Sequence, residues 1–277
     1  RQLTEGNYNH HGSLAWSKDS QQIYFSAYRS DEWELVSGES DIYAVDISSQ
    51  ELTQITNEPG AETSPVLSNN GKLLAFNHKL RRPLAYTPEH IAVMDLSKKK
   101  IRLLTKKLDG DAYDFIWSAN DESLYFAYQE RGLQKIGNVT LSKKITEITD
   151  KLGGTTIGRP YLSGSFHVNK DTIAYTHGSS GSPADLGVVD STGSKVLTNL
   201  NEDLLGHRTL GKVNEIIYKS STDGQEIQGW YITPPNYDPT KKYPLILEIH
   251  GGPHLAYGPH FSAELQLMAS AGYVVFY

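Results

Sequence analysis

The chain has 277 residues, 38% of them hydrophobic and 21% charged, enough apolar material for one large or two ordinary cores. Its 26 basic and 32 acidic residues give a net charge of −6 without long runs of one sign, which excludes the electrostatic footprint of a nucleic-acid binder. Cysteine is absent, so disulfides, thiolate nucleophiles and Cys-ligated zinc are excluded, and no apolar stretch approaches the ~20 residues that span a bilayer.

The first residues, Arg1-Gln2-Leu3-Thr4, are neither a signal peptide nor an initiator methionine, and the expectation is a true start further upstream. From there the chain repeats. Trp16-Ser17-Lys18-Asp19-Ser20 precedes Ile23-Tyr24-Phe25; Leu67-Ser68-Asn69-Asn70-Gly71 precedes Leu74-Ala75-Phe76. Trp117-Ser118-Ala119-Asn120-Asp121 precedes Leu124-Tyr125-Phe126, and a weaker copy runs from Phe166 to Ile173-Ala174-Tyr175. The period is about fifty residues.

Third apolar stretches end at Asp46, Asp95 and Asp190, and fourth ones at Thr56, Thr105, Thr149 and Thr198. Four short strands per unit at this period read as propeller blades, whereas a β-sandwich would not repeat one strand order four times. The expected limits are a remnant at 1–5, whose Gln2-Leu3-Thr4 matches a closing strand, then blades at 6–57, 58–107, 108–150 and 151–201. Trp16 and Trp117, at equivalent positions, are expected in the blade-packing core and not on a ligand. Asn and Asp in the turns tolerate left-handed backbone and bond their own main chain. Two hairpins are long, Arg29 to Ser40 and His78 to His90, the latter with Arg81-Arg82. Both are read first as variable hairpins, although functional residues tend to gather on such loops.

After Leu210 the pattern changes. Strands are expected at 215–219 and 227–233 around the Asp223-Gly224 turn, then a polar connector with Pro234-Pro235, then a buried strand from Leu245. Ser262 caps an expected helix with Leu265, Met268 and Ala269 on one face and Gly272 as its stop, and Tyr273 to Tyr277 reads as a strand. The expected fold is therefore mainly β: a partial β-propeller of about four blades plus a remnant over 1–210, followed over 211–277 by the first strands and helix of an incomplete α/β-hydrolase domain.

The apolar run 245–249 stops at His250-Gly251-Gly252-Pro253. Glycines there let backbone N–H groups approach a ligand, and fixed N–H donors are what an acyl-transfer enzyme needs for the oxygen that turns negative. No Gly-x-Ser-x-Gly occurs; Gly178-Ser179-Ser180-Gly181-Ser182 fails at its last position and is read as a hairpin loop. In this fold the triad's acid and His follow the nucleophile, so all three are expected beyond Tyr277. His250 and His254 are four apart, but Gly-Gly-Pro between them forbids the helix of a metal pair, and no metal is expected.

These residues resemble serine peptidases of the prolyl oligopeptidase family, in particular the acylaminoacyl-peptidase branch of bacterial type. The resemblance spans the chain and is specific from about Tyr218 on. It is carried by Thr222-Asp223-Gly224, Gln228-Gly229-Trp230, Pro234-Pro235, Tyr243-Pro244, His250-Gly251-Gly252-Pro253-His254, Tyr257-Gly258 and Ala271-Gly272-Tyr273. It implies a propeller that screens a hydrolase so that short or unfolded peptides reach the serine. Gly252 would supply an oxyanion N–H and His250 would help hold the loop, while the donor beside the nucleophile has no counterpart here. The resemblance also implies a short peptide as substrate, no cofactor, no nucleic-acid or membrane partner, and a homo-oligomer as an option for the full-length protein. The absence of cysteine suits the cytoplasm, the expected location. Dipeptidyl-type members clamp an amino terminus with a propeller Glu pair. Asp31, Glu32 and Glu34 form the acidic cluster in a comparable loop, but their surroundings do not match that pattern. The 277 residues alone are expected to be inactive. The rival reading is a non-catalytic propeller binding module with a degenerate hydrolase remnant.

Overall fold

A computed structural model describes residues 1–82 and 86–277. The apolar stretches of the repeat become strands. β1 (His10–Trp16), β2 (Gln22–Ala27), β3 (Asp41–Asp46) and β4 (Leu52–Gln54) form one antiparallel sheet in that order. β5 (Gly60–Leu67), β6 (Leu73–Leu80), β7 (His90–Asp95) and β8 (Lys100–Leu103) form the next in the same way. β9 (Ala112–Trp117), β10 (Ser123–Glu130), β11 (Leu133–Thr140) and β12 (Ile145–Leu152) follow in order. β13 (Phe166–Asn169), β14 (Thr172–His177), β15 (Asp185–Asp190) and β16 (Gly193–Val196) join them through the pair Leu152 and His177. Such successive four-strand meanders are propeller-like. Of the long second hairpin, residues 83–85 lie outside the described residues.

β11 escaped the repeat reading because Gln134, Lys135 and Asn138 interrupt its apolar pattern; Gln134 and Lys135 are nonetheless buried. Lys135 is matched there by Glu130 at 2.7 Å and Glu147 at 2.8 Å.

The strands are apolar on consecutive positions because both faces of a sheet are covered. Side chains alternate across a strand. Leu74 and Phe76 of β6 meet Tyr24, Ile42 and Ala44 of the first sheet, while Ala75 faces the other way, toward Trp117, Leu124 and Phe126. Polar staples reinforce this second seam. The Asp121 carboxylate accepts the Asn69 backbone N–H at 2.7 Å, its amide at 2.7 Å and the Asn70 N–H at 2.9 Å. Trp117 Nε1 donates to the Val66 carbonyl at 3.1 Å.

That bond explains a departure from expectation. Trp117 is 7% exposed, as a packing residue should be, but Trp16 is 57% exposed. Trp16 ends β1, the edge strand of the first sheet, and among the described residues it has no partner like the Val66 carbonyl that accepts from Trp117.

The repeat is also visible in the backbone. β1, β5 and β9 each carry a bulge, with Gly12, Ser64 and Asp114 at φ values of 77°, 55° and 49°. Asp46, Asp95 and Asp190 end equivalent strands and accept the N–H groups of Ser48, Ser97 and Thr192 at 3.0, 3.0 and 2.7 Å. The Ser49 backbone N–H and neighbouring hydroxyls hold the Asp46 carboxyl down to about 2.

The first and second sheets are bridged by Ser40 and Ala61, with Glu62 N–H donating to Ser40 O at 2.7 Å. Next to this bridge the fully buried Glu62 pairs with His78 at 2.7 Å. Burial, and then the Glu62 charge, push the Asp41 carboxyl up to about 7.

The remaining elements are α1 (Glu202–Leu205), β17 (Lys212–Lys219), β18 (Glu226–Thr233), β19 (Leu245–Leu247), α2 (Ala263–Ser270) and β20 (Val274–Phe276). The chain forms two compact units, Arg1–Tyr128 with Gly137–Thr146 and Gln129–Ile136 with Glu147–Tyr277; position 210 falls inside the second. No helix among the described residues is long and apolar enough to cross a membrane.

Candidate functional site

β17 and β18 pair antiparallel from Lys212 opposite Thr233 to Lys219 opposite Glu226, closed by the Asp223-Gly224 turn. β20 lies antiparallel to β18 and parallel to β19, giving the order β17-β18-β20-β19. Parallel neighbours need a crossover, and α2 supplies it. The Ser262 hydroxyl caps α2 by accepting the Leu265 N–H at 3.2 Å. Leu265 and Ala269 are fully buried against Trp230, Ile232 and Val275, and Gly272, at φ 96°, follows the helix.

His250-Gly251-Gly252-Pro253 lies in the loop from the third strand of this sheet to its first full helix, and the loop is exposed. His250 Nδ1–H donates to the Gly251 carbonyl at 2.8 Å, and its ring stands edge-on to Tyr257 with centroids 5.4 Å apart. The Gly251 N–H donates to the Tyr161 hydroxyl at 3.3 Å. Gly252 sits at φ 145°, and a Cβ there would come within 2.8 Å of the His254 nitrogen, so the position calls for glycine. Among the described residues the Gly252 N–H has no hydrogen-bond acceptor.

Behind the loop stands a polar network that the sequence reading missed. Arg159, from the connection between β12 and β13, pairs with Glu248 and forks onto Glu264 at 3.1 and 3.2 Å. It also donates to the Tyr257 hydroxyl at 3.2 Å, which in turn donates to Glu248 at 3.2 Å. Burial and the adjacent Tyr161 hydroxyl push the Tyr257 phenol up to about 12, so it stays neutral and keeps its proton to donate. The one signal in the sequence was Glu248 itself, a carboxylate inside the apolar run 245–249. A cavity of about 380 Å³ opens beside the loop, lined by Trp230, Glu248, His250, Tyr257 and Tyr277 among others. Burial raises the Tyr277 phenol as well.

Ser179 accepts the N–H groups of Gly181 and Ser182 at 3.2 and 3.1 Å and so closes a turn between β14 and β15. Asp31, Glu32 and Glu34 lie in the turn segment between β2 and β3. What the loop can do chemically is donate a fixed backbone hydrogen bond to an oxygen that carries or develops negative charge.

Residues 1–83 match the family model described as the dipeptidyl peptidase IV N-terminal region. The chain is 27% identical over 268 residues to dipeptidyl-peptidase 5 of Porphyromonas gingivalis, covering 95% of this chain and 38% of that protein. It is 40% identical over 83 residues to the uncharacterized peptidase YuxL of Bacillus subtilis, covering 30% of this chain and 12% of the relative. An acylaminoacyl peptidase solved with Z-Gly-Gly-Phe-chloromethyl ketone superposes with a TM-score of 0.77 at 22% identity, over 96% of this chain and 39% of that one. The Pyrococcus horikoshii acylaminoacyl peptidase gives 0.68 at 17% identity, over 100% and 52%. These two structures speak to the fold. The chain spans well under half the length of the curated relatives it matches. With the repeats, the glycine loop and these likenesses in hand, the chain is similar to serine peptidases of the prolyl oligopeptidase family.

Proposed function

We propose that the whole protein is a serine-type peptidase, of acylaminoacyl-peptidase or oligopeptidase type, that cleaves short peptides through an acyl-enzyme intermediate. On this reading residues 1–210 are propeller, a remnant at 1–5 and four blades, that gates access, and 211–277 open an α/β-hydrolase domain. The strand order β17-β18-β20-β19 and the α2 crossover support the hydrolase assignment. The observation that carries the reading is the unengaged N–H of Gly252 in the loop between the third strand and first full helix of this sheet. That is where α/β-hydrolases draw one oxyanion donor, the other coming from the residue after the nucleophile.

The proposed roles are supported by the geometry of the loop. Gly252 N–H receives the oxyanion, and His250 holds the loop through the Gly251 carbonyl. The nucleophile, its base and the base's acid come from the part of the protein outside these 277 residues, which contain no Gly-x-Ser-x-Gly. The names of the relatives and fold neighbours support a peptide as substrate.

The test treats full-length protein with a serine-directed fluorophosphonate and assays it on blocked and free short peptides. One stoichiometric adduct together with peptide hydrolysis is the expected result. A protein that takes no adduct and cleaves no peptide is a propeller binding module with a degenerate hydrolase, and the peptidase reading falls.

A further inference from the structure

The segment 157–161 runs as a strap along the residues that follow the glycine loop. The Ala263 N–H donates to Ile157 O at 2.8 Å, the Ser262 hydroxyl to Gly158 O at 2.7 Å and the Gly258 N–H to Pro160 O at 3.0 Å. Tyr161 and Tyr257 form an isolated antiparallel bridge, and their rings lie 4.7 Å apart. Packing and backbone pairing of this kind would be served equally by phenylalanine. The Tyr161 hydroxyl adds what phenylalanine cannot: a side-chain hydrogen bond with Tyr257 and, at the glycine loop, an acceptor for the Gly251 N–H at 3.3 Å.

That contact acts on a specific degree of freedom. Glycine rotates more freely about φ and ψ than any other residue, and the direction of the Gly252 N–H depends on the plane of the peptide joining Gly251 to Gly252. In a planar trans peptide the N–H points opposite to the C=O. His250 pins the Gly251 carbonyl, which fixes one side of this plane. Tyr161 pins the Gly251 N–H, which belongs to the preceding plane. With both groups of Gly251 held, its two torsions are set, and the Gly252 N–H has one direction left.

We propose that Tyr161 is a positioning residue for the oxyanion loop, its phenol oxygen holding Gly251 so that the Gly252 N–H is aimed before substrate arrives. Arg159 anchors the same strap by clamping Glu248, two residues before His250. The proposal rests on the peptidase reading above and adds a component that lies outside the glycine motif. Preorganised donors are effective because they need no reorganisation during reaction, and misplacement by about 1 Å can cost ~10²-fold in rate.

The experiment is Tyr161→Phe in the full-length protein, with Tyr161→Ala as a second variant. The expected result for Tyr161→Phe is a fall in kcat of about tenfold or more with KM within about twofold, because the lost aim matters only as charge develops. Affinity for a peptide boronate, which mimics the tetrahedral intermediate, falls in parallel with kcat/KM. Affinity for a cleaved product and the thermal midpoint stay as in wild type, and hydrogen exchange at Gly251 accelerates. Tyr161→Ala shows the same loss in kcat together with a lower midpoint. Wild-type kcat and boronate affinity in Tyr161→Phe overturn the positioning role while leaving the peptidase reading intact, and so does a kcat loss that only tracks lost stability. A wild-type protein that neither hydrolyses peptides nor takes the fluorophosphonate overturns both.

Discussion

Arg159 and Glu248, 89 positions apart in the chain, form an ion pair that fastens the connection after β12 to the end of the strand leading into the glycine loop. The Glu248 side chain is 14% exposed and the Arg159 side chain 40% exposed, so the pair is half in water. Removing the cation strands a mostly buried carboxylate. Arg159→Ala is expected to cost about 1–2 kcal/mol, below the ~3–5 kcal/mol of a fully buried pair because solvent screens the exposed arm. Urea unfolding of Arg159→Ala, Glu248→Gln and the double variant checks this, and the double variant should cost less than the two singles added together.

Gly252→Ala separates function from stability. The backbone there sits at φ 145°, and the new methyl would press on the His254 nitrogen, so the loop must shift. Since the loop is exposed, the thermal midpoint should move little, while turnover of the full-length protein drops by ~10²–10³ through the misdirected donor. An unchanged kcat would remove Gly252 from the oxyanion role.

The Asp121 carboxylate serves three N–H groups of Asn69 and Asn70 from a buried position. Asp121→Ala leaves these donors without an acceptor and is expected to cost about 2–3 kcal/mol. Asp121 also has φ 60°, which asparagine tolerates, so Asp121→Asn should cost roughly half as much, the amide keeping one oxygen. Denaturant midpoints of the two variants give the comparison.

Asp41 makes stability fall as the solution becomes more alkaline. Its pKa in the folded state is raised to about 7, above the ~3.9 of an unfolded aspartate. The stability tied to its protonated form is thus complete below about pH 4 and is lost as pH rises through 7. Discounted for its partial exposure, the effect is about 1–2 kcal/mol. Thermal midpoints of wild type and Asp41→Asn between pH 5 and 8 test it: the difference should shift in favour of the variant as pH rises.

Ser262→Ala removes both the cap of α2 and the bond to Gly158 O, with an expected cost of about 1–2 kcal/mol. Ser262→Asp retains a capping oxygen for the Leu265 N–H but loses the donor to Gly158, so its recovery in chemical denaturation should be partial.

Much of the fold was legible because it repeats. The Asp that closes a third strand and the apolar pair after each Asn/Asp turn recur at one spacing, and a recurring local cause needs no knowledge of distant contacts. β11 was missed because its buried Gln134 and Lys135 look like surface residues until Glu130 and Glu147 are seen beside the lysine. Trp16 was misjudged because the sequence shows equivalence of position, whereas burial depends on a neighbouring sheet. At the site, the His250-Gly251-Gly252-Pro253 loop stood out in the sequence as a glycine pair ending an apolar run, while the roles of His250 and Gly252 came from the family resemblance. Arg159 and Tyr161 did not stand out, since what makes them part of the site is a contact closed over some ninety positions of chain.

The alternation along β6 limits how this protein can change length. Phe76 fills one seam while Ala75 faces the other, so losing a single residue from the strand would exchange the two sides of everything beyond it. A ring would be driven into space fitted to a methyl, and a void would open where the ring had been. Tolerated insertions and deletions should therefore gather in the hairpins between strands, and a library of single-codon deletions should show β6 and β7 as gaps.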